Sequence, residues 1–248
     1  MRVVVVGASS GIGRCIGVGL GQRGDQVALL ARRHERLVDA AKEAGPGTLA
    51  ITCDVTDEAG CRAAIEEAAA GLGGIDGLVY ASAVGTLAHL EDTGADIWRR
   101  TLDTNVVGAS IATAAALPFL RQSHGVAAYL SSISATTTPP WPGIGAYMAS
   151  KAALERLVEA WRCEHPDVGF TRVTVGNCGG GEGDSMVEFT AGWDNELFGE
   201  IAQVWFAKGL VDQWLVDVDD VIRVVATVLA TGGSASIPVV TITPRPRP

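Results

Sequence analysis

Apolar residues recur along this chain in two alternating rhythms. Short aliphatic or β-branched runs predict strands near residues 2–6, 26–31, 48–53, 76–80, 126–131, 168–175 and 237–242. Apolar positions three and four apart predict helices near 11–23, 34–44, 57–72, 94–122, 146–165 and 217–230. The first strand is apolar at successive positions, Val3-Val4-Val5-Val6, as expected of a strand buried on both faces. Strand and helix in regular alternation imply an α/β fold: a doubly wound parallel sheet of about seven strands with helices on both faces. No linker, repeat or low-complexity block divides the chain. Residues 1–243 therefore read as one domain, and Pro244 to Pro248 as a Pro/Arg tail. The stretch 177–216 fits the alternation poorly; it is glycine-rich, then rich in aromatics (Phe189, Trp193, Phe198, Trp205, Phe206, Trp214).

The turn after the first strand changes the picture most. Gly7-Ala8-Ser9-Ser10-Gly11-Ile12-Gly13 leads into an apolar helical pattern at Cys15, Ile16 and Leu20. Strand, glycine-rich turn and helix is the unit that sets backbone N–H groups and a helix N-terminus around a pyrophosphate. Gly7 permits the tight turn, and Gly11 and Gly13 permit close approach of backbone to phosphate and of helix to strand.

A second signal lies in the predicted helix from residue 146. Tyr147 and Lys151 stand four apart, on one helix face. The chain has only three Tyr and three Lys, against sixteen Arg. A lysine ammonium beside a phenol favours the phenolate, so the Tyr147 pKa is expected to fall from about 10 toward neutrality. Such a phenol can exchange a proton at working pH.

Taken together, these motifs resemble those of the short-chain dehydrogenase/reductase family over nearly the whole chain. The resemblance is carried by Gly7-x-x-x-Gly11-x-Gly13, Asp54 after the third strand, Asn105 in Thr104-Asn105-Val106-Val107-Gly108, the Ser131-Ser132 strand end, and Tyr147-x-x-x-Lys151. It implies a Rossmann-type fold and a nicotinamide cofactor that carries hydride while the protein moves a proton. Tyr147 is then the acid or base, and Lys151 lowers its pKa and bonds the nicotinamide ribose. Asn105 anchors a water. A Ser hydroxyl holds the substrate oxygen; strand-end matching favours Ser132, and motif spacing leaves Ser134 open. Gly7, Ser9, Ser10, Gly11, Ile12, Gly13, Asp54, Val55 and Ala81 are the further cofactor candidates. The segment 177–216 matches the family's substrate-binding insertion. Ser132, Trp141, Tyr147, Phe189 and Trp193 are the substrate candidates, with the aromatics either a lid or ordinary helix packing.

The second strand ends in Arg32-Arg33 rather than in an acidic residue. An acid there would bond the ribose 2′-hydroxyl of NAD, whereas an Arg can hold a 2′-phosphate through a charge-assisted fork. The expected cofactor is therefore NADP, with Arg32 the first choice for a test and Arg33 the second.

Two segments depart from the family: Tyr80-Ala81-Ser82-Ala83 after the fourth strand, and Asn177 to Asp184 after the sixth. The second lacks the residues that usually bind the carboxamide. It favours the alternative of a cofactor-binding regulatory or scaffold protein without turnover. A related epimerase or dehydratase is a third reading.

The remaining expectations come from composition. A net charge of −9 argues against nucleic acid and anionic membranes as partners. No apolar run reaches membrane-span length, and nothing at the N-terminus reads as a signal peptide. Five Cys without CxxC spacing suggest reduced thiols in a cytoplasmic protein, and four scattered His suggest no metal site. The segment 105–120 is apolar or small nearly all round. With Leu154, Leu157 and Trp161 it predicts a homodimer or homotetramer.

Overall fold

The computed structural model describes residues 1–179, 189–211, 213–231 and 233–245. Within them the predicted alternation is present. In chain order the elements are β1 (Arg2–Val6), α1 (Gly11–Gln22), β2 (Gln26–Ala31), α2 (His34–Ala44), β3 (Leu49–Thr52), α3 (Glu58–Leu72) and β4 (Gly77–Tyr80). Then come α4 (Ala95–Leu102), α5 (Gly108–Ser123), β5 (Val126–Ser132), α6 (Ile133–Thr136), α7 (Gly145–Glu164) and β6 (Gly169–Val175). The last are β7 (Cys178–Gly179), α8 (Asn195–Ala207), β8 (Val216–Asp217), α9 (Val218–Leu229) and β9 (Val239–Ile242).

Seven strands form one parallel sheet in the order β3-β2-β1-β4-β5-β6-β9. The strand order reverses between β1 and β4, so the loops leaving their carboxyl ends splay apart into a crevice. The β-branched run of β1 shows how the sequence builds both faces. Val3 and Val5 enter the core under α1 and α9, and Val4 and Val6 the core under α3 and α5, as the two-residue period of a strand demands.

The helix expected over 94–122 is divided. A π-helical turn, Asp103–Val107, joins α4 to α5, and Asn105 sits in it, fully buried. The pattern around 177–216 resolves into α8 and a small β7–β8 ladder. Of the altered Asn177–Asp184 segment, residues 180–184 lie outside the described residues, as do 246–248 of the tail. The five cysteines carry free thiols. Among the described residues, no helix is long and apolar enough to cross a membrane, and no cluster of three His, Cys, Asp or Glu could hold a metal.

Candidate active site

A cleft of about 330 Å³ opens along the carboxyl ends of the strands, from Ser9 and Arg33 at one end to Trp141 and Trp205 at the other. Asn105 lies behind this wall, and every other candidate residue lines it.

The first end is made largely of backbone. Gly7 has φ of +88°, and a Cβ on it would stand 2.5 Å from the Ser82 amide nitrogen. A Cβ on Gly13 would stand 2.4 Å from the Gly7 carbonyl oxygen and 2.9 Å from Ala81 Cβ. These glycines bring turn, helix and the β4 loop into contact that no side chain allows. Ser10 caps α1 without a side-chain capping bond, and the first turn of α1 has no acidic residue. The positive helix end is thus left to face the cleft, a ready anion site. Ile12 and Val55 line the same stretch.

Beside this turn, Arg33 donates from Nε and Nη2 to Ser9 Oγ (3.2 and 3.1 Å) and from Nη2 to Ser10 Oγ (2.5 Å). Arg32, the first choice from sequence, is not the residue seated on the serines. It is exposed, and its charge helps hold the Asp54 carboxyl below the usual range. The larger cause of that shift is the Thr56 amide, which donates to Asp54 Oδ1 at 2.9 Å.

At the centre, Ser132 ends β5 and caps α6. Its Oγ accepts from the Ser134 amide (3.2 Å) and lies 2.9 Å from Ser134 Oγ. The Ser132 side chain also acts on the Tyr147 phenol, opposing the rise of its pKa. Both serines left open by the sequence are therefore adjacent, with Ser132 the one against Tyr147. Lys151 is buried; its ammonium donates to the Leu130 carbonyl at 2.7 Å and lies 5.7 Å from the centre of the Tyr147 ring.

The expected direction of the Tyr147 shift is overturned. Burial pushes its pKa up to about 12, and the Ser132 side chain offsets this only in part. Lys151 is aimed at a carbonyl, and burial lowers its own pKa to about 8 against the opposing charge of Glu155. In water an ammonium beside a phenol stabilises the phenolate. In this site the loss of water around both groups outweighs that attraction.

Asn105 acts as a clamp. Its Oδ1 accepts from the Val84 amide (2.8 Å), and its Nδ2 donates to Val84 O and Ser150 Oγ, both at 2.9 Å. It ties the β4 loop, with the departing Tyr80–Ala83 segment, to the helix that carries Tyr147 and Lys151. Tyr80 reinforces the tie through its hydroxyl, which donates to Thr104 O at 2.5 Å.

The far end is aromatic. Tyr147 meets Phe189 at 4.9 Å between ring centres, Phe189 meets Trp193 at 5.2 Å, and Trp193 meets Phe198 at 5.5 Å. Trp141 packs on Trp205 at 5.2 Å. The indole N–H groups are anchored to backbone: Trp193 to Gly85 O (3.1 Å) and Trp205 to Pro142 O (2.9 Å). Both buried packing and cleft-lining positions occur among these aromatics. Trp141 and Trp205 are buried in a small separate core with Leu87, Ile144 and Ile201, while Phe189 bears on Tyr147. Phe206, from the same aromatic stretch, is exposed.

Sequence reading named Phe198 and Trp205 in the aromatic stretch but not among the substrate candidates, and it missed Gly85. Trp205 and Phe198 had the aromatic clustering as a signal. Gly85 had none, because its role is set by a neighbour more than 100 residues away.

The short chain dehydrogenase family profile matches residues 1–191. Among curated proteins, the chain is 36% identical over 181 residues to 11-beta-hydroxysteroid dehydrogenase A of Sesamum indicum, covering 70% of this chain and 51% of that protein. It is 38% identical over the same length to 11-beta-hydroxysteroid dehydrogenase 1A of Arabidopsis thaliana, with the same coverage. The chain thus spans about half the length of these relatives. Among solved structures, an alcohol dehydrogenase from the archaeon Thermococcus sibiricus, complexed with 5-hydroxy-NADP, superposes with a TM-score of 0.79 at 21% identity, over 97% of this chain and 94% of that one.

Proposed function

The chain belongs to the short-chain dehydrogenase family, and on that footing we propose that it is an NADP-dependent oxidoreductase interconverting a carbonyl and an alcohol on a largely apolar substrate. The single observation that carries this reading is the continuity of the cleft: one cavity joins the glycine turn and Arg33 to Ser132, Tyr147 and the aromatic wall.

The residues present fit a dinucleotide. Gly7 and Gly13 let the turn close on the Ala81–Ser82 loop where a Cβ would clash, and the N-terminus of α1 suits a pyrophosphate. Arg33, already held among two hydroxyls, suits a 2′-phosphate. NADPH bound there would supply the hydride. The alcohol dehydrogenase of similar fold was solved with 5-hydroxy-NADP, which accords with this choice.

The protein's own part is to orient the carbonyl and move one proton. Ser132 Oγ–H donates to the substrate oxygen and stabilises charge growing on it. Tyr147, held protonated by its burial, gives its proton to that oxygen. An alkoxide is a stronger base than a phenolate, so the transfer runs downhill even from a phenol of raised pKa. A protonated phenol is the form that carbonyl reduction uses near neutral pH. Lys151 supplies positive charge behind the phenol, and Asn105 keeps the helix in place.

On the substrate side, Phe189, Trp193 and Trp205 select for apolar bulk. The curated relatives are named for a hydroxysteroid, so polycyclic ketones belong in the screen. We also propose assembly through α5 and α7. Ile111, Leu117, Leu157 and Trp161 are only partly buried there, whereas Leu154, expected at the same face, is fully buried within the chain; Trp161 Nε1 is buried with no hydrogen-bond partner among the described residues. Light scattering at micromolar concentration is expected to show a dimer or tetramer, and a monomer would overturn that part.

The test of function is a panel of ketones and alcohols with NADPH or NADP, followed by nicotinamide absorbance. Turnover of a ring ketone is expected. Tight NADPH binding with no turnover across the panel would favour a binding protein instead.

A further inference from the structure

One buried charge is unused by this mechanism. Glu155 lies one helical turn beyond Lys151 on α7 and is 3% exposed. Its carboxylate accepts from Ser131 Oγ (2.7 Å), Thr136 Oγ1 (2.7 Å) and Arg172 Nη1 (2.8 Å). All three partners donate, as an ionised carboxylate requires. They come from three different elements: β5, α6 and β6. Ser131 directly precedes Ser132, and Thr136 closes the short helix that Ser132 caps and Ser134 belongs to. Simple glue between these elements would not need a charge. A buried ion pair is often no more stabilising than well-packed apolar residues.

We propose that Glu155 is a positioning residue with two tasks: it holds the Ser132 turn against α7, and its negative charge keeps the buried Lys151 ammonium protonated. The four-residue spacing on α7 puts both side chains on one helix face. Lys151 is 3% exposed, so a nearby carboxylate acts on it with less screening than in bulk water. Among the described residues, the other charged or titratable groups around the pair are Tyr147 on α7 and Arg172 on β6. β5 offers only the Leu130 carbonyl and the Ser131 hydroxyl, and α6 the Thr136 hydroxyl. Burial drives Lys151 down to about 8, and the Glu155 charge is the opposing cause. The inference rests on reading Ser132, Tyr147 and Lys151 as the reacting centre.

The test does not depend on turnover. The chain has only three lysines, and Lys42 and Lys208 are exposed. Protein labelled with ¹⁵N at lysine Nζ can therefore be titrated by NMR, with those two as references. In the wild type the Lys151 midpoint is expected near 8. In Glu155→Gln it should fall by about one pH unit or more. In Arg172→Met, which removes the cation that competes with Lys151 for the Glu155 carboxylate, it should rise. Both substitutions break the same Glu155–Arg172 contact and both should lower Tm. A merely structural clamp would not move the midpoint in opposite directions. An unshifted Lys151 midpoint in folded Glu155→Gln overturns the proposal. If that variant does not fold, the absence of an upward shift in Arg172→Met overturns it. Once a substrate is known, the pH limb of kcat should follow the same two shifts. Failure of the titration is distinct from absence of hydride transfer, which would count against the enzyme reading itself.

Discussion

The two ends of the cleft are made of different material. The glycine-turn end is backbone: Gly7, Gly11, Gly13, an uncapped helix terminus, and a guanidinium laid over two hydroxyls. The aromatic end is side chain: Phe189, Trp193, Phe198 and Trp205 in edge-on contact, tied by indole N–H groups to the carbonyls of distant loops. A backbone cradle binds what every such cofactor has in common, a pyrophosphate. A side-chain wall can be changed ring by ring without disturbing the sheet. On the proposed function, the first end suits a constant cofactor and the second a choice of substrate, with Ser132 and Tyr147 at their junction.

That contrast can be broken by substitution, and the largest effect is expected at the junction. Tyr147→Phe should lower kcat by about 10³-fold or more while NADPH affinity, measured by calorimetry, stays near wild type. Unchanged turnover would remove Tyr147 from the mechanism.

The next effect belongs to the backbone end. Gly13→Ala places a Cβ against the Gly7 carbonyl and Ala81, and should cost about 3 kcal/mol of stability in denaturant melts and abolish cofactor binding. A variant of normal stability and affinity would show that the close approach is not required.

Arg33→Ala should be gentler. It should cut NADPH affinity about tenfold, some 1.4 kcal/mol, with little change for NADH. Arg32→Ala should do less, because Arg32 is not the residue held on Ser9 and Ser10. If the two variants rank the other way, the seat of the 2′-phosphate is misassigned.

At the aromatic end, Trp193→Phe keeps a ring and loses the bond to Gly85 O. A lost neutral hydrogen bond is worth about 1 kcal/mol, so KM for a ring ketone should rise about fivefold while NADPH affinity is untouched. A change in NADPH affinity instead would mean that the two ends are not separable.

The smallest effect lies at the opposite end of the strands, where β1 and β4 begin side by side in the middle of the sheet. The Arg2 side chain and amide hold Asp76 below its usual pKa. A carboxyl depressed in the fold contributes stability that is present above its unfolded value of 3.8 and is lost as pH falls through the folded one. Asp76→Asn should therefore cost about 1 kcal/mol at neutral pH and progressively less in acid, with the site unaffected.

The same contrast explains what could be read from sequence. β1 and the glycine turn were legible because backbone geometry selects residue types directly: four valines for a strand buried on both faces, and glycine where a Cβ would clash. Arg33 and Ser9 stood among the sequence candidates, Arg33 for its charge and behind Arg32, while their hydrogen-bonded pairing left no signal. The π turn holding Asn105 left no mark, since Asp103–Val107 is ordinary helix composition. The raised pKa of Tyr147 was missed because spacing reports a neighbouring charge but not the loss of water. Glu155 was invisible as a buried group; four residues after a lysine, it reads as one half of a solvated helix pair. The aromatic wall was half legible, because its rings cluster in sequence while their anchors, Gly85 and Pro142, lie far away.

The measurement closest to the central claim is transfer of a labelled hydride. NADPH carrying deuterium at the nicotinamide C4 would be incubated with a panel of ring ketones and either wild type or Tyr147→Phe, and the alcohols examined by mass spectrometry. The account predicts deuterium on the carbinol carbon with wild type and none above background with the variant, while both proteins bind NADPH. Wild-type protein that binds NADPH yet labels no alcohol, or a variant that labels it equally well, would contradict the account.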